Sequence, residues 1–172
     1  GTNSIHMQIV QLHPDGTHHV LGGEKDMTRL GDGSFRDGRL KPAAIARALG
    51  VVARFAKIAA NRGVKKIVAF ATSAVREASN GPDFLVQIQR KTGIKVRVIT
   101  GQEEAHWIFR AVREATAPEH ADLWSIDIGG GSVEINAGRG GQLLLSESLK
   151  LGVARLHDLF LHRDPPSKKD WE

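Results

Sequence analysis

The chain has 172 residues, 41% hydrophobic and 25% charged, with a formal net charge of +5 and no cysteine. That length suits one domain with a real core, and the lack of cysteine excludes a disulfide framework and a thiol nucleophile and suits a reducing cytoplasm. Neither a bilayer-spanning apolar run nor a signal peptide is expected, and the sequence pI of about 9.8 mildly favours an anionic partner: a phosphate compound, nucleic acid or acidic lipid.

In chain order, Ile5, Met7 and Ile9 alternate with His6 and Gln8 and read as a strand. Pro14-Asp15-Gly16-Thr17 signals a turn. A second strand is expected through Val20 and again around Met27 to Leu30, closing an antiparallel hairpin. Gly31-Asp32-Gly33 and Arg36-Asp37-Gly38 read as loop. A long helix starts after Lys41, with Pro42 in its first turn, Ile45, Leu49, Val52, Phe55 and Ala59 at helical spacing, and Asn61-Arg62-Gly63 closing it.

Ile67 to Ala71 reads as a buried strand. Asn80-Gly81-Pro82 opens a helix ending near Gly93, Val96 to Ile99 is a strand, and Thr100 begins a helix through Trp107, Ile108 and Val112. Strands follow over Leu123 to Ile128, Val133 to Ala137 and Leu143 to Glu147, then a last helix from Leu151 to His162. Trp107 and Trp124 are expected in the core. This order predicts an α/β fold, a mixed sheet flanked by helices. Ligands of such sheets sit beyond the carboxyl ends of the parallel strands. Ala71-Thr72-Ser73, Thr100-Gly101 and Asp127 to Gly129 lie at strand ends and are expected to converge. No repeat of roughly 20–50 residues is apparent.

The segment Ile126-Asp127-Ile128-Gly129-Gly130-Gly131-Ser132-Val133-Glu134 is the most informative in the chain. Three glycines let a backbone approach an anion and turn its amides inward as a nest. An acid just before such a nest cannot attract phosphate directly, so Asp127, with Glu134 as a second hard oxygen ligand, points to a divalent cation or a bound water. The ordinary alternative is a glycine-rich hairpin turn with an exposed acid at each end, Glu134 facing solvent.

Two neighbouring glutamates compete for a catalytic role. Thr100-Gly101-Gln102-Glu103 fits a capping box, which gives Glu103 a structural task. Glu104 has no such task, and the helix dipole holds a first-turn carboxylate ionised and able to accept a proton. The alternative makes both of them exposed first-turn acids. The eight histidines show no H-E-x-x-H or clustered spacing, which argues against zinc. No Ser/His/Asp order stands out, so attack by activated water is preferred to a covalent route.

Several separated motifs resemble one family. Gly1-Thr2-Asn3-Ser4, Arg29-Leu30-Gly31, Ala71-Thr72-Ser73-Ala74-Val75-Arg76-Glu77-Ala78, Gly101-Gln102-Glu103-Glu104-Ala105 and Asp127 through Glu134 resemble the exopolyphosphatase and guanosine pentaphosphate phosphohydrolase family. Ser146-Glu147-Ser148-Leu149 and Leu151-Gly152-Val153-Ala154-Arg155-Leu156 extend the match over nearly the whole chain. The resemblance implies an actin-like, ribonuclease H-like fold with two domains facing across a phosphate cleft. It implies hydrolysis of the terminal phosphate of polyphosphate, or of the 5′ phosphate of guanosine pentaphosphate, by water with Mg2+. Glu104 is then the catalytic base, Asp127 and Glu134 hold the metal, and Gly129, Gly130, Gly131 and Ser132 form one phosphate loop. Asn3 and Ser4 belong to the remainder of the other loop, although such residues often bond only their own backbone. Arg76 resembles the family's arginine beside the bound phosphate; the alternative is a surface arginine paired with Glu77 or Glu104.

The resemblance also sets the expected boundaries. Residues 1–163 correspond to an N-terminal domain lacking its first strand, unless the first residues are a cloning remnant, and 164–172 to a linker and the start of an absent second domain. Full activity then belongs to the full-length protein, expected as a cytoplasmic homodimer acting on polyphosphate or guanosine pentaphosphate. Neither a membrane nor sequence-specific nucleic acid is an expected partner. The rival readings are a non-catalytic polyphosphate-binding domain and half of an actin-like ATPase or kinase.

Overall fold

Asp15 closes the first hairpin by accepting from the Thr17 amide and hydroxyl at 2.9 and 2.7 Å. This computed structural model describes residues 1–116, 121–161 and 165–168. The hairpin pairs β1 (Ile5–Leu12) with β2 (His18–Asp26). β2 ends at Asp26, so the expected strand around Met27 to Leu30 is absent. That segment instead folds back, and the Arg29 and Gly31 amides donate to the Asn3 and Thr2 carbonyls at 2.8 and 2.9 Å. α1 (Ser34–Asp37) follows, a single turn where a loop is expected from sequence.

α2 (Pro42–Asn61) keeps its expected ends. Its buried face is Ala44, Ala48, Val51, Phe55 and Ala59, with Ile45, Leu49 and Val52 half-buried on its flank. β3 (Ala69–Ala71) and β4 (Val96–Val98) pair in parallel, with α3 (Ser73–Glu77) and α4 (Gly81–Thr92) between them. β3 is shorter than expected. Its ladder starts at Ala69↔Val96, so Ile67 and Val68 have no strand to pair with and stay 46% and 62% exposed. Leu30, Leu40, Ala48, Phe84 and Ile88 anchor the core where α2 meets α4. Each large side chain there contributes about 1.5–3 kcal/mol by burial.

α5 (Gly101–Thr116) covers an antiparallel sheet ordered β5 (Leu123–Ile128), β6 (Val133–Arg139), β7 (Gln142–Leu149). Its Ala105 and Phe109, one turn apart, are buried, and a Cβ at Gly138 would strike the Phe109 ring. Ser125 faces inward on β5, so alternation turns Trp124, Ile126 and Ile128 outward. Trp124 is 71% exposed and is not a core residue; Trp107, 37% exposed, stands edge-on to Phe70 under the Arg97 guanidinium.

α6 (Val153–Phe160) ends before the expected His162, which lies outside the described residues, as do residues 163, 164 and 169–172 of the expected linker and second-domain start. The architecture is mixed α/β with helices on its sheets, as expected. Its described strands pair in three separate groups rather than one: β1-β2, β3-β4 and β5-β6-β7. No described helix is long and apolar enough to cross a membrane.

Candidate functional site

The Gly129–Ser132 loop is held from behind by the first turn of α6. The Val153 amide donates to the Gly129 carbonyl at 3.0 Å and the Arg155 amide to the Gly130 carbonyl at 3.1 Å. The Arg155 guanidinium donates through Nε to the Gly131 carbonyl at 2.7 Å. In a trans peptide the C=O and the following N–H point opposite ways. Gripping these three carbonyls therefore turns the Gly130, Gly131 and Ser132 amides away from α6, and none of the three has a hydrogen-bond partner among the described residues. The amides are presented without a nest, because none of Gly129, Gly130 and Gly131 has positive φ. Glycine is needed here for close approach. A Cβ on Gly130 would lie 3.0 Å from the Asn3 amide group, and one on Gly131 would strike Ser73 Oγ and lie 2.8 Å from Thr2 Oγ1. The two glycine-bearing loops are packed against each other.

Beyond this loop, β6 carries a buried polar row. Glu134 is 1% exposed and accepts from Ser148 Oγ at 2.8 Å. Two residues on, the fully buried Asn136 donates to Ser125 Oγ at 3.2 Å and accepts from Ser146 Oγ at 2.8 Å. Asp127 is directly opposite Glu134 in the β5–β6 ladder, so their side chains share one face. The solvent-facing alternative for Glu134 is excluded by its burial.

Glu104, in the first turn of α5, comes to the same end of the structure. Its side chain is 18% exposed and pairs with Arg76 Nη1 at 3.2 Å. Burial pushes the Glu104 carboxyl above the usual range, the neighbouring Glu134 charge adds to the shift, and Arg76 opposes it. Glu103 performs the capping task expected of it. Its carboxylate accepts from the Thr100 amide at 2.9 Å, and its own amide donates to Thr100 Oγ1 at 3.1 Å.

A cavity of about 850 Å3 opens onto these groups. Asn3, Ser4, Glu104, Asp127, Gly129, Gly130, Gly131, Ser132 and Glu134 all line it, as do Thr72 and Ser73; two of the three expected strand ends converge there, while Thr100-Gly101 stays outside the lining and only Glu104 of the following helix reaches it. Its far part runs between β1 and residues 66–71 over Val52, Phe55 and Ile88. The unpaired amides and the carboxylates lie at the loop end. Arg76 pairs with Glu104, one of the partners named in its alternative reading, and its Nη1 also donates to the Ile99 carbonyl at 2.8 Å, but its side chain is half-buried rather than on the surface. Ser4 Oγ sits 2.7 Å from His6 Nε2, and Ser132 is buried.

Glu104, Asp127 and Glu134 bring three carboxylates to this end, against the Arg76 guanidinium and the Gly1 amino group beside Glu104, the Arg155 guanidinium behind the loop being paired with Glu77. Left alone, that balance repels phosphate. It suits a hard divalent cation, which typically takes one or two carboxylates and completes its shell with water and substrate oxygens. Among the described residues no three His, Cys, Asp or Glu side chains are grouped so that together they could hold a metal ion.

The sequence points to no role for Arg155, and it does not foretell the Ser73, Thr2 and Glu77 contacts around the loop. One signal was available for Arg155. A cation in the first turn of a helix opposes the helix dipole, so its presence there calls for a specific partner.

Residues 9–172 match the model of the Ppx/GppA phosphatase family. Exopolyphosphatase 1 of Mycobacterium tuberculosis is 32% identical over 169 residues, covering 98% of this chain and 49% of that protein. The crystal structure of an exopolyphosphatase from Cytophaga hutchinsonii superposes with a TM-score of 0.91 at 36% identity, over 99% of this chain and 54% of that one. The Aquifex aeolicus member of the Ppx/GppA family gives a TM-score of 0.75 at 30% identity, over 99% and 55%. The fold is the actin-like, ribonuclease H-like one expected from the motifs. The chain spans about half the length of the curated relatives it matches. Matched along nearly its whole length, this chain belongs to the Ppx/GppA phosphatase family.

Proposed function

We propose that this chain carries the phosphate-loop part of a longer phosphoanhydride hydrolase, one that removes the terminal phosphate of inorganic polyphosphate. The observation that carries the reading is Glu104: a half-buried carboxylate of raised pKa, beside Glu134, at the mouth of three unpaired loop amides. A carboxylate shifted upward is a stronger base than a free one.

In this scheme the Gly130, Gly131 and Ser132 amides, with Asn3 and Ser4 facing them, hold the oxygens of the terminal phosphate. Asp127 and Glu134 would hold magnesium, which would supply charge neutralisation at the phosphate oxygens. Glu104 takes a proton from water as the water oxygen bonds to the terminal phosphorus. The bond from that phosphorus to the bridging oxygen breaks, and the bridging oxygen leaves with its electron pair on the shortened chain. Inorganic phosphate is the other product. Such transition states are loose, so positioning and charge neutralisation supply most of the rate. Arg76 keeps Glu104 in place and favours its ionised form.

Guanosine pentaphosphate presents the same terminal anhydride chemistry and is the second substrate to test. The experiment is phosphate release from long-chain polyphosphate and from guanosine pentaphosphate, with and without magnesium, by this chain and by the longer protein. Magnesium-dependent release from polyphosphate by the longer protein is expected. Binding without turnover would instead favour a non-catalytic polyphosphate-binding domain, and no binding would sink the phosphate reading.

A further inference from the structure

Arg155 is the one described cation that reaches the Gly129–Ser132 loop from within the protein. Its side chain is 8% exposed. Nε holds the Gly131 carbonyl at 2.7 Å, while Nη2 donates to Glu77 Oε1 at 2.6 Å and to Ser73 Oγ at 3.2 Å. The guanidinium also lies over the Phe35 ring, 4.1 Å from its centroid. Three separate elements therefore meet on one planar group: the loop, α3 behind β3, and α1 behind the first hairpin.

A desolvated guanidinium opposing the dipole of its own helix is costly unless it is fully paired. Here Glu77 supplies the charge, and it is itself tied to Ser73 Oγ at 3.1 Å and Lys150 Nζ at 3.4 Å. The fork is thus fixed at its Nη2 end, and Nε can only point at Gly131. The Gly131–Ser132 peptide plane follows, because a held carbonyl fixes the direction of the next amide. Ser73 also stands where a Cβ of Gly131 would be, so the same side chain that bonds Arg155 seals the loop from its other side.

We infer that Arg155 is a positioning residue: held by Glu77 and Ser73, it orients the Gly131–Ser132 peptide so that the Ser132 amide faces the cavity as a phosphate donor. The inference rests on the phosphate reading of the loop for its function, though not for its geometry. Lysine cannot substitute fully, because one ammonium on a flexible stem does not reproduce a planar fork shared between a carbonyl, a hydroxyl and a carboxylate.

The test is titration of inorganic tripolyphosphate with magnesium chloride into the chain and its Arg155→Lys, Arg155→Ala and Glu77→Gln variants. Thermal unfolding and the 15N–1H resonance of Ser132 are followed in each. Arg155→Lys is expected to weaken tripolyphosphate binding by about tenfold, the loss of a charge-assisted hydrogen bond, and to shift the Ser132 resonance while unfolding stays cooperative. Guanidinium ion at a non-denaturing concentration should restore part of the affinity of Arg155→Ala and none of that of Glu77→Gln. Wild-type affinity in both Arg155 variants, with an unmoved Ser132 resonance, would overturn the inference. If the wild-type chain binds no tripolyphosphate, the phosphate reading fails. The Ser132 resonance then decides the positioning by itself: unmoved in Arg155→Ala, it overturns that as well.

Discussion

Gly1–Ser4 leads into the β1–β2 hairpin and Gly129–Ser132 into β6–β7. Each loop is then backed by a glycine from beyond its hairpin, Gly31 in the first case and Gly152 in the second. The means of support differ. The first loop is held by two backbone amides from a coil in which Arg29 takes a left-handed conformation, φ 49°. The second is gripped by a helix N-terminus and a buried guanidinium, and its following strand carries Glu134 and Asn136 at full burial. β1 and β2 by contrast are exposed at most positions. The second unit is over-determined by polar contacts it cannot lose cheaply, whereas the first depends on what packs against it. A rigid loop facing a more yielding one suits a site that must admit and release a chain of phosphates.

The glycines give the largest test of this difference. A Cβ at Gly152 would strike the Gly130 and Gly131 backbone, while at Gly31 it would strike a side chain, the γ-methyl of the buried Thr2, and no backbone. Gly152→Ala is expected to cost about 3 kcal/mol and Gly31→Ala about 1 kcal/mol by urea unfolding. Equal losses would break the comparison. Next in size is the polar row. Asn136→Ala leaves Ser125 and Ser146 without their partner and should cost about 2 kcal/mol, while Gln8→Ala on the exposed first hairpin should stay within about 0.5 kcal/mol.

Acid titration separates two carboxylates that lie close to the loops. Glu104 is shifted up, so between its ordinary and raised values the folded chain binds more protons than the unfolded one. Its contribution to stability therefore falls as pH rises through that window. Burial also pushes Glu77 upward, but the Arg155 hydrogen bond and charge, with Ser73 and Lys150, outweigh it and leave its carboxyl below the usual range. Its contribution is present above the ordinary glutamate value and is lost as pH falls toward the lowered one. Thermal unfolding across the acid range should show Glu104→Gln gaining on wild type as pH rises, and Glu77→Gln losing. The reverse order would contradict both assignments. The smallest effect is Arg29→Asn, expected to stabilise by about 0.5 kcal/mol because asparagine tolerates the left-handed region better. A loss of stability there would mean that the arginine side chain holds the turn.

Much of this was legible before any coordinates. Pro42 and Gly63 bracket α2, and Thr100 with Glu103 closes its capping box, because these signals act within a few residues of chain. The convergence of Asp127, Glu104 and the glycine loop followed from their places at strand ends. What stayed hidden depended on distant partners. α1 and α3 are too short to show a helical period. β3 starts only where β4 does, which Ile67 and Val68 cannot reveal by themselves. Alternation alone left either face open for Glu134, and only the cover of α5 decides it. The glycines of the loop were read for their backbone freedom, but Asn3, Thr2 and Ser73, from the other half of the chain, are the reason for them.

The central claim is that Glu104 activates the attacking water. The most direct measurement is the steady-state rate of phosphate release from long-chain polyphosphate by the longer protein and by its Glu104→Gln variant at saturating magnesium. The account predicts a fall in kcat of about 10²–10⁴-fold with little change in KM. Unchanged turnover in Glu104→Gln would contradict it.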